Sequence, residues 1–136
     1  MLRIVLDTNV LVACISRKSP YYWIWESLLE SKFMICVTTD ILDEYAEIIE
    51  KYFGVKTSEY AMNQLALMSN VIPIVSYYKW EIMYVDPDDN KFFDCAVASN
   101  AHYLISEDNH FKVLATIDFP KVICIKLKDF ESKFIN

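Results

Sequence analysis

The 136 residues include one glycine, four prolines and two histidines, and each scarcity excludes something. So little glycine and proline rules out a flexible linker or low-complexity tail, and 54% hydrophobic residues imply one compact domain over residues 1–136. No apolar run reaches the roughly 18 uninterrupted positions of a spanning helix, so no membrane contact is expected. Leu2 to Leu6 run straight into Asp7 without a basic lead, a long apolar core or a small-residue cleavage site, which implies a cytoplasmic protein. Cys14, Cys36, Cys95 and Cys124 sit in apolar sequence and form no CxxC pair. They read as small buried hydrophobes in a reducing compartment. With only His102 and His110 as imidazoles, a zinc site would need distant cysteines, which the spacing does not favour. Positive charge is also short, with 13 Lys and Arg against 19 Asp and Glu. A net charge of −6 argues against a protein that holds nucleic acid chiefly by neutralising phosphates. It is compatible with an enzyme that handles phosphates through metal ions, and part of the acidity would then be a metal site.

What is present is an alternation of short apolar runs and helical patterns. Residues 4–6 form a buried strand that opens into the turn-prone Asp7-Thr8-Asn9. Ser19 and Pro20 read as the cap and first position of a helix reaching about Glu30. Residues 33–37 form a second strand. From Asp40 the positions Ile41, Leu42, Tyr45, Ile48, Ile49 and Tyr52 follow helical spacing, with Gly54 placed as a C-cap. Thr57 or Ser58 would cap the next helix, which runs to Met68. Residues 71–75 are extended, and Pro73 makes them an edge strand at best. A loop over 86–90 precedes a helix carrying Phe92, Phe93, Ala96 and Val97; strands at 103–106 and 122–125 and a short terminal helix follow. Buried strands alternating with helices predict an α/β fold, three-layer α/β/α with a central, mainly parallel sheet. The functional crevice of such a sheet lies beyond the carboxyl ends of its strands.

Two acids fall there: Asp7 ends the first strand, and Asp108 follows the strand at 103–106. Either alone is commonly a turn former or helix cap. In the helix from Asp40 the apolar stripe centres near Tyr45 and Tyr52, so Asp43, Glu47 and Glu50 face away while Glu44 stands at its margin. Asp89 precedes the apolar face of the next helix and reads equally as a site acid or a plain cap, with Asp86 and Asp88 as turn residues. Asp94 reads as an outer-face residue or a side hydrogen bond. Carboxylates converging without a cation would repel by roughly 3 kcal/mol per pair at about 5 Å and an effective dielectric of about 20. Oxygen ligands without histidine or thiolate suit Mg²⁺ or Mn²⁺, and the implied chemistry is metal-assisted phosphodiester cleavage. An aspartyl-nucleophile phosphatase would usually carry a second Asp two residues after Asp7, where Asn9 stands.

The segments Leu6-Asp7-Thr8-Asn9-Val10-Leu11-Val12, Ile41-Leu42-Asp43-Glu44-Tyr45, Asp86-Pro87-Asp88-Asp89-Asn90-Lys91-Phe92 and Ala96 through Asp108 follow one another in order. They resemble the signature of the PIN-domain family, most closely toxins of toxin–antitoxin systems related to VapC. The resemblance implies a metal-dependent ribonuclease with Mg²⁺ or Mn²⁺ as cofactor, an RNA substrate and a cognate antitoxin, with a homodimer as a further candidate assembly. By position it assigns Asp7, Glu44, Asp89 and Asp108 as catalytic and metal-binding acids, with Asn9 and Ser106 as polar supports that orient the first Asp. Glu107 departs from the small residue that often precedes the last Asp, and Asp86, Asp88 and Asp94 leave the third acid open. A PIN-like binding module with little catalysis is the alternative.

Tyr21, Tyr22, Trp23 and Trp25 crowd one helix too densely for a single inward stripe, so some are expected at the surface or against a partner. Tyr77, Tyr78, Trp80 and Tyr84 would serve equally for packing or for stacking RNA bases.

Overall fold

The structure is a computed structural model describing residues 1–135. Five parallel strands, β1 (Arg3–Leu6), β2 (Met34–Val37), β3 (Val71–Pro73), β4 (Tyr103–Ile105) and β5 (Cys124–Ile125), form one sheet in the order β3-β2-β1-β4-β5. In β1, Ile4, Val5 and Leu6 are fully buried, as unbroken apolar strands must be when helices cover both faces. The helices are α1 (Thr8–Ile15), α2 (Tyr22–Leu29), α3 (Thr39–Phe53), α4 (Val55–Leu67), α5 (Asn90–Ser99) and α6 (Leu127–Ile135). Short 3₁₀ turns at Pro87–Asp89 and Asn109–Thr116 complete the described elements. The expected three-layer α/β/α architecture is present, and β3 is the edge strand that Pro73 requires.

Strand order places the site. From β1 the chain steps to β2 and β3 on one side, then returns beneath α5, which packs on β1, β2 and β4, to build β4 and β5 on the other. The direction of winding reverses between β1 and β4, whose carboxyl ends therefore flank the crevice. There the Asp7 N–H donates to the Ile105 carbonyl at 3.0 Å, joining the two strand ends.

Several local expectations differ from the structure. Asp7-Thr8-Asn9 is a helix start rather than a loop: α1 begins at Thr8 with Asp7 as its cap. Helix α2 starts at Tyr22, because the Ser19 hydroxyl accepts from the Tyr21 N–H in a preceding turn instead of capping the helix. Neither Thr57 nor Ser58 caps α4, which follows directly on Gly54, a left-handed residue at φ 93° that closes α3 and opens α4. Ser58 instead donates to the Ala46 carbonyl at 2.9 Å and ties α4 to α3. Pairing in β3 and β5 stops at Pro73 and is confined to Cys124–Ile125.

The aromatic crowd at α2 packs largely within the chain, with Tyr21, Tyr22 and Trp23 only partly buried and the Trp23 indole N–H buried without a hydrogen-bond partner among the described residues. Trp25 is buried, and Trp23 stacks on Phe130 and Phe134 of α6 at 5.9 and 5.6 Å. Tyr77, Tyr78 and Tyr84 are exposed, while Trp80 is half-buried against Tyr78 and Phe119. Cys14, Cys36 and Cys95 are buried, Cys124 is partly so, and all four are free thiols. Burial holds Cys14, Cys95 and Cys124 up at about 12, so they behave as packing groups. No helix among the described residues is long and apolar enough to cross a membrane.

Candidate metal centre

Asp7 is the buried hub of the crevice. Its Oδ1 accepts from the Thr8 N–H at 2.8 Å, and its Oδ2 accepts from the Ser106 hydroxyl at 2.6 Å. Burial pushes its carboxyl above the ordinary range. The Ser106 hydroxyl and Thr8 N–H pull it back, and the charges of Asp108 and Glu44 add to the rise. Ser106 also accepts from the Asp108 N–H at 3.0 Å, so one buried hydroxyl spans the acids at the ends of β1 and β4. Asn9 is exposed on the outer side of α1 and makes no hydrogen bond to Asp7; orientation falls to Thr8 and Ser106.

Glu44 reaches the same hub from α3. The buried Tyr45 donates its hydroxyl to the Leu6 carbonyl, pinning α3 to the end of β1 and turning its neighbour toward α1. The Thr8 hydroxyl then donates to Glu44 Oε2, while Lys91 Nζ of α5 stands 2.8 Å from Oε1. Lys91 also donates to the Asp88 carbonyl at 2.8 Å.

Asp89 ends the 3₁₀ turn before α5, and its side chain makes no capping bond, which removes the plain-cap reading. Its Oδ2 is buried and accepts no hydrogen bond. Burial, then the charges of Asp86, Asp7 and Asp108, push this carboxyl up to about 7, with His110 opposing. On the other side His110 Nδ1 lies 3.8 Å from Asp89 Oδ2 and 3.3 Å from Asp108 Oδ1. Contacts thus run without a break from Glu44 through Thr8, Asp7, Ser106, Asp108 and His110 to Asp89. Ligand atoms of Asp86, Asp89 and His110 all lie within 4.8 Å of one another. An orphaned buried carboxylate oxygen among mutually repelling acids fits a divalent cation.

Of the acids left open by the sequence, Asp86 stays beside Asp89, whereas Asp88 and Asp94 stand elsewhere. Asp86 Oδ1 accepts from the Asp88 N–H at 3.3 Å, and Asp88 is exposed. Asp94 is in the side hydrogen bond that was one of its two expected places, accepting from the Trp80 N–H at 3.3 Å. Glu107 faces away, accepting from the Leu127 N–H at 2.9 Å where α6 begins, so it leaves the position of Asp108 undisturbed. A groove of about 730 Å³ adjoins the acids between α3 and the segment leading into α5. Of the four expected acids only Glu44 lines it, together with Asp43, Glu47, Lys79 and Lys91. His110 is the site residue that sequence reasoning missed as a site member; its only signal was its place two residues after Asp108.

A family profile described as PIN domain matches residues 3–110, a span that includes every residue of this cluster. Among solved structures, the chain is similar to VapBC2 from Rickettsia felis bound to a DNA fragment from its promoter. The TM-score is 0.63 and the identity 18%, over 92% of this chain and 98% of that one. VapC20 from Mycobacterium tuberculosis, a Sarcin-Ricin loop cleaving toxin, gives 0.59 and 14%, over 81% and 93%. DNA-bound VapBC from Salmonella typhimurium gives 0.57 and 17%, over 93% and 98%. No curated protein matches by sequence.

Proposed function

The chain belongs to the PIN-domain family, and from that premise and the acid cluster we propose that it is a divalent-metal-dependent endoribonuclease, the toxin of a toxin–antitoxin pair. The observation that carries this reading is the buried, unbonded Oδ2 of Asp89 beside Asp7, Asp86 and Asp108. Asp7, Glu44, Asp89 and Asp108 would hold Mg²⁺ or Mn²⁺. When bound, the cation supplies positive charge for the scissile phosphate and acidifies water at neutral pH. The chain's own residues do the positioning. Ser106 and the Thr8 N–H fix both oxygens of Asp7, and Thr8 and Lys91 fix Glu44. Asp89 gives up its proton as the site fills, so loading is coupled to proton release.

The VapBC structures that share this fold support an antitoxin partner. So does an apolar groove of about 510 Å³ between α1 and the end of α3, lined by the partly buried Val12 and Ala13 and the exposed Tyr52 and Phe53. The assay is cleavage of a panel of ribosomal, transfer and messenger RNAs with Mg²⁺, with Mn²⁺ and with EDTA. Asp7→Asn should lower the rate by roughly 100-fold or more, since even residues behind a metal's ligands cost about 10- to 100-fold. Cleavage that survives EDTA would sink the mechanism. Metal binding without cleavage of any RNA in the panel would turn the reading to a binding module.

A further inference from the structure

The four acids assigned above are all oxygen donors, whereas the tightest cluster of ligand atoms among the described residues contains a nitrogen. We propose that Asp86, Asp89 and His110 form a mixed oxygen–nitrogen subsite that makes the centre select Mn²⁺ and its transition-metal neighbours over Mg²⁺. The proposal rests on the reading that the acid cluster holds a divalent cation, and it names the class of ion.

Two observations support it. The three ligand atoms lie within 4.8 Å of one another. Ligands in a shell of radius about 2.1 Å stand about 3 to 4 Å apart, so the three need only a small contraction to share one ion. The second observation is Asp89 Oδ2, which is buried, accepts no hydrogen bond, and lies 3.8 Å from His110 Nδ1. A carboxylate oxygen held out of water and an imidazole nitrogen beside it are two of the ligands such an ion needs. His102, the other histidine, is committed elsewhere: its Nδ1 accepts from the Arg3 N–H at 3.0 Å, at the opposite end of β4. His110 is exposed, and its Nδ1 faces the carboxylates of Asp108 and Asp89, so a small turn of the ring would bring it onto an ion held there.

The selectivity follows from donor chemistry. Mg²⁺ demands hard oxygen ligands and retains its waters, so an imidazole adds little to its binding. Mn²⁺, Co²⁺ and Ni²⁺ accept nitrogen with affinity rising along that series. A bare ion pair would behave differently. His110 against Asp108 and Asp89 at its degree of exposure contributes little, and its loss would affect every divalent ion alike.

Calorimetric titration of the metal-free full chain with MnCl₂ and MgCl₂, and visible absorption on adding CoCl₂, separate the two. Wild type should bind Mn²⁺ roughly tenfold or more tightly than Mg²⁺, and Co²⁺ should show d–d bands characteristic of nitrogen ligation. His110→Ala and His110→Gln should weaken Mn²⁺ by roughly 10- to 100-fold and Mg²⁺ by less than about threefold, with the Co²⁺ bands shifting toward those of an all-oxygen site. Variants that stay folded by circular dichroism yet leave the Mn²⁺ to Mg²⁺ ratio of wild type unchanged would overturn the subsite while leaving the nuclease reading intact. A wild-type chain that binds no divalent ion would overturn both.

Discussion

Asp89 shows how one carboxylate can be read twice from sequence and once from structure. As the residue before an amphipathic helix it is a natural cap, yet its side chain makes no capping bond and leaves Oδ2 buried and unbonded. Its carboxyl is held up at about 7 by burial and neighbouring acids, against 3.8 for an unperturbed Asp. The folded chain therefore binds more protons than the unfolded chain between those values. Stability is greatest below about pH 4 and falls as pH rises to 7. Asparagine imitates the protonated form. Metal-free Asp89→Asn should be more stable than wild type by about 1–2 kcal/mol at pH 8, allowing for partial screening, with the gap closing as pH falls toward 4. Urea melts at the two pH values test this; a gap that is absent or independent of pH would show that burial and neighbouring acids do not hold the Asp89 carboxyl up. Asp7, Glu44 and Asp108 were legible because each sits where a strand ends or an apolar stripe stops. His110 was not, because a histidine in a loop carries no periodic signal and its relation to Asp89 spans 21 positions of chain folded through α5 and β4.

At the scale of elements, α3 was readable because its buried positions Ile41, Tyr45 and Ile49 repeat every four residues. Helix α1 was not. Thr8, Val10, Leu11, Cys14 and Ile15 are buried on one side, but Val12 and Ala13 on the other are apolar as well, and an unbroken apolar run over residues 10–15 has no period to detect. The irregular residues 74–86 were equally opaque, since they are anchored by Asn90 and Asp94 of α5 reaching back to the backbone of Met83 and Trp80. Such bonds leave no local pattern. The terminal helix supplies a test of the same kind. Glu107 follows the site residue Ser106, yet its carboxylate accepts from the first N–H of α6. Glu107→Ala should cost about 0.5–1 kcal/mol, the usual worth of a cap, and leave RNA cleavage within about twofold of wild type. A large loss of cleavage at unchanged stability would place Glu107 in the site instead.

Across the whole molecule, a sheet that reverses its winding between β1 and β4 gathers acids from the ends of two strands, the second turn of α3 and the residue before α5 into a chain with net charge −6. Three of its carboxyls, Asp7, Asp89 and Asp94, are shifted upward, each chiefly by burial. All three shifts have the same sign in linkage. Folding takes up protons between the ordinary Asp range and the raised values, so metal-free stability should climb as pH is lowered from 8 to about 5.5. Self-repulsion of the net negative charge falls over the same interval and adds to the trend. A divalent cation supplies at high pH the positive charge that protons supply at low pH, and it binds the folded chain best when Asp89 is deprotonated. Thermal melts should therefore show Tm in EDTA rising by several degrees from pH 8 to pH 5.5, at on the order of 3–5 °C per kcal/mol for a chain of this size. Saturating Mn²⁺ should raise Tm most at pH 8 and progressively less toward pH 5.5, flattening or inverting the slope. Metal that raises Tm equally at every pH would show that the ion does not displace a proton from this cluster, and would separate its binding from Asp7 and Asp89.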